Sequence, residues 1–344
     1  MLPLNSAIIG CGAIFPMHAE ALRQLPAARL AAVVDIDKTR AAAAAEQYDC
    51  RSYADYREML QDETIQVVHI CTPHYLHAEM ALAALRRGKH VLTEKPMAIE
   101  LADAAAMIRT ARETGRQLGI CFQNRYNATS LRIKALLDSG AAGKLIRARG
   151  SVRWHRDEAY YRSGDWRGTW AMEGGGVLIN QAIHTLDLLQ WFGGPIRDIR
   201  GEIATTGLQG VIEVEDTAQA AITFQNGAVA TFSATNCHPV NDPVEIELEC
   251  ERLTLKLADG LTIETRDGQI ERVEEINTAT GEKSYWGMSH AVLIGHFYHC
   301  LETGQSFPIA GEDGLTALQM VLAIYRSSRE QRAIPWEELA LAAG

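Results

Sequence analysis

The sequence predicts an α/β chain: a doubly wound parallel sheet over residues 1–122, then an α+β domain over residues 123–344 with a large, mainly antiparallel open sheet. Three observations carry this. Short apolar runs alternate with helical patterns up to about residue 122, Asn-Gly and Asp-Gly pairs punctuate residues 212–275, and 344 residues exceed what one hydrophobic core usually organises.

The elements follow in order. "SAIIGCG" reads as a strand ending in glycines, and "PMHAEALRQL" as an amphipathic helix. "ARLAAVVDID" is a second strand, followed by the alanine-rich helix "KTRAAAAAEQY". "IQVVHICTP" and "HVLTEKP" are further continuous apolar runs, separated by "HAEMALAALRRGK", a helix stopped by Gly88. "ADAAAMIRTARETG" is another helix, and "RQLGICFQ" another strand. Strands that are apolar on both faces and separated by helices imply a parallel sheet covered on both sides. Beyond this region "INQAIHTLDLLQWFGG" reads as helical. "AQAAITFQNGAVATFSATN" reads as a hairpin and "ERLTLKLADGLTIETRDGQIERVEE" as a meander, because Asn-Gly and Asp-Gly favour the positive-φ turns of antiparallel strands. "HAVLIGHFYHCLETG" and "EDGLTALQMVLAIYRSSREQ" close the chain as helices. An open sheet leaves one face to cover, and a homodimer or homotetramer built on that face is the expectation.

Composition narrows the function. The apolar fraction is 47% and the charged fraction 22%, ordinary for a globular protein. Net charge is −10, from 43 acidic and 33 basic residues, which argues against a nucleic-acid partner. The seven cysteines, at 11, 50, 71, 121, 237, 250 and 300, form no C-x-x-C pair and several sit inside apolar runs. Neither disulfides nor a metal site is expected, and a reducing cytoplasm fits best. No signal peptide and no membrane span are expected.

In "IIGCGAIFPMHAEAL", Gly10 permits a tight turn, and Gly12 lets backbone N–H groups approach a pyrophosphate at the following helix start. This is the Rossmann fingerprint with Phe15 at its third position. Asp35 ends the second strand 25 residues after Gly10, where an acid meets the adenosine ribose, with Asp37 nearby as an alternative. A carboxylate there repels a 2′-phosphate, so NAD is preferred over NADP. Thr72-Pro73 and Glu94-Lys95-Pro96 fall at carboxyl ends of strands, where ligands of open α/β sheets bind. Proline after Lys95 pins the chain direction, which marks this lysine for chemistry beside the nicotinamide. In "GGGVLINQAIHTLDLLQW", Asn180, His184 and Asp187 fall at i, i+4 and i+7 on one helical stripe. A lone histidine on such a helix is usually a hydrogen-bonded core residue; here it has polar company in register. Arg147, Arg149, Arg153 and His155 share one strand face, suited either to an anionic substrate or, more commonly, to solvent or an interface.

"GCGAIFPMHAEAL", "CTPHYLHAEM", "GKHVLTEKPMA" and "GGGVLINQAIHTLDLLQWFGG" in this order resemble the Gfo/Idh/MocA oxidoreductases over nearly the whole chain. The resemblance implies an N-terminal Rossmann domain with bound NAD(P) and oxidation or reduction of a secondary hydroxyl on a sugar, sugar acid or cyclitol. It implies Lys95 and His184 as catalytic residues, with Asn180 where inositol dehydrogenase-like members carry an aspartate. Asp187 is then a candidate carboxylate partner for His184. Ala13, Ile14, His77, Trp166 and Arg167 join the cofactor contacts on the same basis, and Arg125, Tyr126 and Tyr161 are candidates to line the substrate pocket. "DWRGTWAMEGGGVLINQAIH" looks closest to members that oxidise C3 of nucleotide-linked N-acetylglucosaminuronate. The alternatives are an inositol or polyol dehydrogenase, a non-catalytic NAD-dependent sensor, and a glycosidase using transient NAD redox.

Overall fold

Each expected apolar run of the first region becomes a strand whose neighbours bury both of its faces. The computed structural model describes residues 2–275 and 289–339. By contact the chain divides into two units, Met1–Gln123 with Met288–Leu315, and Asn124–Gly287 with Thr316–Gly344. The return of residues 288–315 to the first unit is a feature the sequence reading does not contain.

The first unit holds six parallel strands: β1 (Leu4–Ile9), β2 (Ala28–Val34), β3 (Arg51–Tyr53), β4 (Val67–Ile70), β5 (His90–Thr93) and β6 (Leu118–Ile120). Their order, β3-β2-β1-β4-β5-β6, reverses direction between β1 and β4, which is the topological switch point where ligands of doubly wound sheets bind. Ala7, Ile8, Val33, Val67, Val68, Ile70, Val91 and Leu92 are fully buried or nearly so. That burial explains the unbroken apolar runs. Helix Ser289–Thr303 packs against helix Phe15–Gln24. It contributes His290 and Tyr298, both buried, to the interior of this unit.

The second unit is a nine-stranded sheet: β7 (Leu145–Arg153), β8 (Ile196–Ala204), β9 (Thr217–Phe224), β10 (Val229–Thr235), β11 (Glu245–Cys250), β12 (Leu253–Ala258), β13 (Gly260–Thr265), β14 (Ile270–Val273) and β15 (Ile334–Pro335), in the order β14-β13-β12-β11-β7-β10-β9-β8-β15. Only the β7–β10 pairing is parallel among these. Gly227, Gly260 and Gly268, the second residues of the predicted turns, have φ of +89°, +89° and +85°. Burial alternates along β10 and β11, so one sheet face is packed and the other exposed.

On the exposed face Arg147 meets Glu249 at 2.7 Å, Arg149 meets Glu247 at 3.4 Å, and Arg153 meets Glu245 at 3.1 Å across β7 and β11. The arginine stripe is therefore a cross-strand ion-pair ladder on the open face of the sheet. The expected continuous helix around His184 is two pieces, Val177–Asn180 and Ile183–Gly193. At the break the Ala182 N–H reaches the Val177 carbonyl five residues back, at 2.8 Å. Among the described residues no helix is long and apolar enough to cross a membrane. All seven cysteines are free.

Candidate functional site: a dinucleotide loop and a histidine helix

In the first unit the glycine loop is shaped by two different demands. Gly10 has φ +96°, and a Cβ there would lie 2.5 Å from the Cys71 carbonyl oxygen, so only glycine fits. A Cβ on Gly12 would meet nothing within 4 Å, leaving its surface open to a ligand. Helix Phe15–Gln24 begins directly after, with no side-chain cap and no acidic residue in its first turn. An uncapped helix start beside an open glycine suits a pyrophosphate, and Ala13 and Ile14 form the chain between them. Phe15 is buried and packs edge-on against Tyr48, which explains a large residue at the third fingerprint position.

Asp35 ends β2 with its carboxylate accepting the Cys11 N–H and the Asp37 N–H, each at 2.9 Å. It ties the glycine loop to the next turn, and the Arg40 guanidinium lies 3.2 Å from it. Asp37 instead caps helix Lys38–Tyr48, accepting from the Thr39 and Arg40 N–H groups, which leaves Asp35 as the candidate acid of the fingerprint. These residues fit a dinucleotide.

Thr72 and Pro73 follow β4, and Glu94, Lys95 and Pro96 follow β5. His77 joins the two loops: Nδ1 lies 2.7 Å from the Pro96 carbonyl and Nε2 2.8 Å from the Thr72 carbonyl. Both partners are acceptors, so the neutral ring donates to one of them. Burial pulls this ring below the ordinary histidine range. His77 is thus a staple between strand-end loops. Lys95 is half-buried, and the Lys95–Pro96 peptide is cis.

Glu94 turns inward. Its Oε1 lies 3.0 Å from His18 Nε2 and 3.3 Å from His290 Nε2, and its Oε2 accepts the Lys95 N–H at 3.3 Å. Burial works to raise the carboxyl, but the hydrogen bond from His18 and the close approach of the His290 ring outweigh it and hold Glu94 well below the usual carboxylate range. The three residues bring ligand-type atoms within 4.8 Å of one another. The His18–Glu94 separation is that of a hydrogen bond. His18 continues to His69 (Nδ1 to Nδ1, 2.8 Å), His69 to Tyr298 (3.0 Å), and Tyr298 to Ser6 (2.5 Å).

In the second unit Gly174, Gly175 and Gly176 lead into the helix break. A Cβ on Gly175 would overlap the Tyr325 hydroxyl, and one on Gly176 the Glu215 carbonyl. The Glu215 carboxylate accepts the Gly176 and Leu178 N–H groups at 3.0 Å and the Tyr325 hydroxyl at 2.9 Å. Burial pushes Glu215 up to about 7.

Asn180 is half-buried and donates through Nδ2 to Glu173; the Tyr160 hydroxyl lies 3.4 Å from the same nitrogen. Arg167 donates to that hydroxyl at 2.6 Å and Gln181 at 3.1 Å. Tyr161 is buried, its hydroxyl accepting from Asn236 at 2.9 Å. Tyr126 is half-buried at the end of the turn Gln123–Tyr126. His184 is half-buried in the first turn of Ile183–Gly193.

Asp187 does not stand as a plain partner for His184: both its oxygens accept from Arg125, at 2.6 and 2.9 Å. Arg125 is 5% exposed. Arg125 donates to Asp187 through Nε and Nη2, and its guanidinium carbon lies 5.5 Å from the Trp191 ring centroid.

Two family models match the chain. The oxidoreductase family, NAD-binding Rossmann fold, covers residues 4–122, and the Gfo/Idh/MocA C-terminal domain covers residues 130–256. The chain belongs to the Gfo/Idh/MocA oxidoreductases. Its sequence is 27% identical over 281 residues to levoglucosan dehydrogenase of Pseudarthrobacter phenanthrenivorans, covering 72% of each chain. It is 24% identical over 347 residues to myo-inositol 2-dehydrogenase of Thermotoga maritima, covering 98% of this chain and 99% of that one. Among solved structures, the WlbA dehydrogenase from Bordetella pertussis in complex with NADH and UDP-GlcNAcA superposes with a TM-score of 0.85 at 29% identity, over 97% of this chain and 98% of that one. This chain is an NAD-dependent oxidoreductase.

Sequence reasoning missed His18, His69, His290, Tyr298 and Glu173. His18 had a signal: with Phe15, Ala19 and Leu22 it lies on the buried stripe of its helix. Glu173 had only its place before three glycines.

Proposed function

We propose that this family member oxidises a ring secondary hydroxyl of an anionic pyranose, with C3 of a nucleotide-linked sugar acid as the favoured position. The observation that carries the preference is cationic. The Arg156 and Arg167 guanidinium carbons lie 5.2 and 4.4 Å from the Tyr160 ring centroid, beside the Asn180 amide. Two arginines next to an amide suited to hydroxyl recognition favour a carboxylate or phosphate on the sugar.

NAD supplies the hydride acceptor when bound. His184 is the general base that takes the proton of the reacting hydroxyl. Lys95 is the cation that offsets negative charge developing in the reaction. Asn180 orients the sugar. Asp35 and the Gly10–Gly12 loop hold the cofactor's ribose and pyrophosphate. Trp166 and Arg167 lie in the second unit, where Arg167 stacks on Trp166 at 4.5 Å.

NADH formation with UDP-N-acetylglucosaminuronate, UDP-N-acetylglucosamine, levoglucosan and myo-inositol tests this reading. The uronate should turn over fastest, and Arg156→Ala should raise its KM roughly 10- to 100-fold, the weight of one charge-assisted hydrogen bond. Equal turnover of the neutral sugars would remove the anionic preference. Lys95→Ala should lower kcat by roughly 10²- to 10⁴-fold with NAD affinity within a few-fold. NAD binding without turnover of any sugar would favour a sensor, and aglycone release without net NADH a glycosidase.

A further inference from the structure

Three successive backbone N–H groups open the segment that carries Asn180, and one residue accepts all of them. The Glu215 carboxyl group takes the Gly176 N–H at Oε2 and the Leu178 N–H at Oε1, each at 3.0 Å. The Glu215 carbonyl takes the Val177 N–H between them, at 3.1 Å. Helix Val177–Asn180 has no side-chain cap of its own, so Glu215, just ahead of β9, does from outside what a cap does locally. Gly176 leaves no room for a Cβ against the Glu215 carbonyl, so the two segments meet backbone to backbone.

Glu215 is itself fixed. It is 1% exposed, and the hydroxyl of Tyr325, from helix Gly311–Glu330, donates to its Oε1 at 2.9 Å. The carboxylate of the next residue, Asp216, accepts the Thr206, Gly207 and Leu208 N–H groups at 2.8 to 2.9 Å. On the other side Trp170, edge-on to Tyr325, donates from Nε1 to the Glu213 carbonyl at 2.9 Å. From this anchor backbone bonds run on to the histidine. The Asn180 N–H bonds the Gly176 carbonyl at 3.1 Å, the Ala182 N–H the Val177 carbonyl at 2.8 Å, and the Leu186 N–H the Ala182 carbonyl at 3.1 Å. His184 sits inside that last turn.

We propose that Glu215 is a positioning residue: by clamping Gly176, Val177 and Leu178 it sets where Asn180 and His184 stand. The inference rests on the dehydrogenase reading of His184. A continuous helix fixes its register through its own ladder, but this one breaks after Asn180, so its first piece is held from outside.

Two variants that each remove one hydrogen bond from the Glu215 side chain test it. Glu215→Gln keeps the shape but has one acceptor atom where the carboxyl group has two. Whichever way the amide lies, the N–H of Gly176 or of Leu178 then faces an NH₂. Tyr325→Phe leaves both backbone bonds in place. Both variants should lower the melting temperature. Only Glu215→Gln should lower kcat, by roughly 10- to 100-fold, with Tyr325→Phe within about threefold of wild type and the KM for NAD within about twofold in both. A residue that merely stabilises the fold predicts the same kcat effect in the two variants. The idea is overturned if Glu215→Gln keeps full kcat, or if Tyr325→Phe loses as much. If Glu215→Gln does not fold, amide hydrogen exchange in the wild type decides. The Gly176 and Leu178 amides should be protected as strongly as those of β10, and fast exchange would refute the clamp. That exchange is read whether or not any sugar turns over, so failure of the dehydrogenase reading shows separately, as protected amides in a protein that reduces no NAD.

Discussion

Glu94 Oε1 sits 3.0 Å from His18 Nε2, at the inner end of a buried line of polar groups that runs to Ser6. The line has a direction. Glu94 is ionised and only accepts, so His18 donates from Nε2 and, being neutral, accepts at Nδ1. His69 must then donate from Nδ1 and accept at Nε2, where Tyr298 donates, and Ser6 donates to Tyr298. Every proton points toward the carboxylate beside Lys95, so aligned dipoles stabilise a buried anion where no buried cation is required. Tyr298→Phe removes one hydroxyl from the middle. It leaves His69 Nε2 without its donor and should destabilise the protein by about 1–3 kcal/mol. Thermal melts measure the loss, and nitrogen-15 spectra should show His69 kept as the Nδ1–H tautomer, because His18 sets it. An Nε2–H tautomer at His69 would contradict the assigned direction.

The same histidines set the acid limb of stability. Burial lowers His18, and burial with the neighbouring His18 lowers His69 well below the ordinary value of 6.5. Below pH 6.5 the unfolded chain therefore binds protons that the folded chain refuses. Stability should fall as pH drops, by about 1.4 kcal/mol per pH unit for each such histidine. Glu94, depressed below 4.5, adds a further loss as pH falls through that value toward its folded one. His69→Gln keeps a donor and an acceptor but removes one titrating group. Denaturation from pH 7 to pH 5 should show a shallower slope in the variant; equal slopes would mean that His69 does not titrate on unfolding.

These two predictions rest on groups the sequence hides. Asn226-Gly227, Asp259-Gly260 and Asp267-Gly268 were legible because turn chemistry is local, and the positive φ of each glycine is the outcome. Gly10, Asp35 and Lys95 were legible because a strand-end position is itself a sequence pattern. Asn180 was visible but its environment was not. The helix break after it is held by Gln181, whose side chain meets Tyr160 and Asn236, both distant in sequence. Likewise His18, Glu94 and His290 come from three separate segments, and no periodicity links them. What is missed is pairing between remote polar residues, since hydrogen bonds leave no spacing in a single sequence.

Asp35 offers a prediction on cofactor choice. Its carboxylate repels a 2′-phosphate, while Arg40, 3.2 Å away and half-exposed, is a ready cation for one. Asp35→Ser should weaken NAD binding roughly 10- to 100-fold, the effect of losing a charge-assisted ribose hydrogen bond. It should strengthen NADP binding by freeing Arg40, and Arg40→Ala in that background should cancel the gain. Titration of both dinucleotides measures it. NADP affinity unmoved by Asp35→Ser would show that the carboxylate does not face the ribose.

Arg125 and Asp187 make a buried bidentate pair, and its two halves should not be equivalent to a single deletion. Asp187→Asn leaves the guanidinium buried without its anion, which should cost about 3–5 kcal/mol. Replacing both, as Arg125→Met with Asp187→Leu, removes the charge and its desolvation together and should return stability to within about 1–2 kcal/mol of wild type. Asp187 lies one turn beyond His184 on the same helix, so the pair ties that helix to the turn Gln123–Tyr126. If Arg125 serves only this frame, the double variant should retain substrate KM while Asp187→Asn loses stability. If Arg125 instead grips the substrate, the double variant should be stable yet raise KM sharply, because no arginine remains at that position. Denaturant titration and steady-state kinetics on the two variants separate the two outcomes, and the bidentate pairing of Arg125 with Asp187 predicts the first.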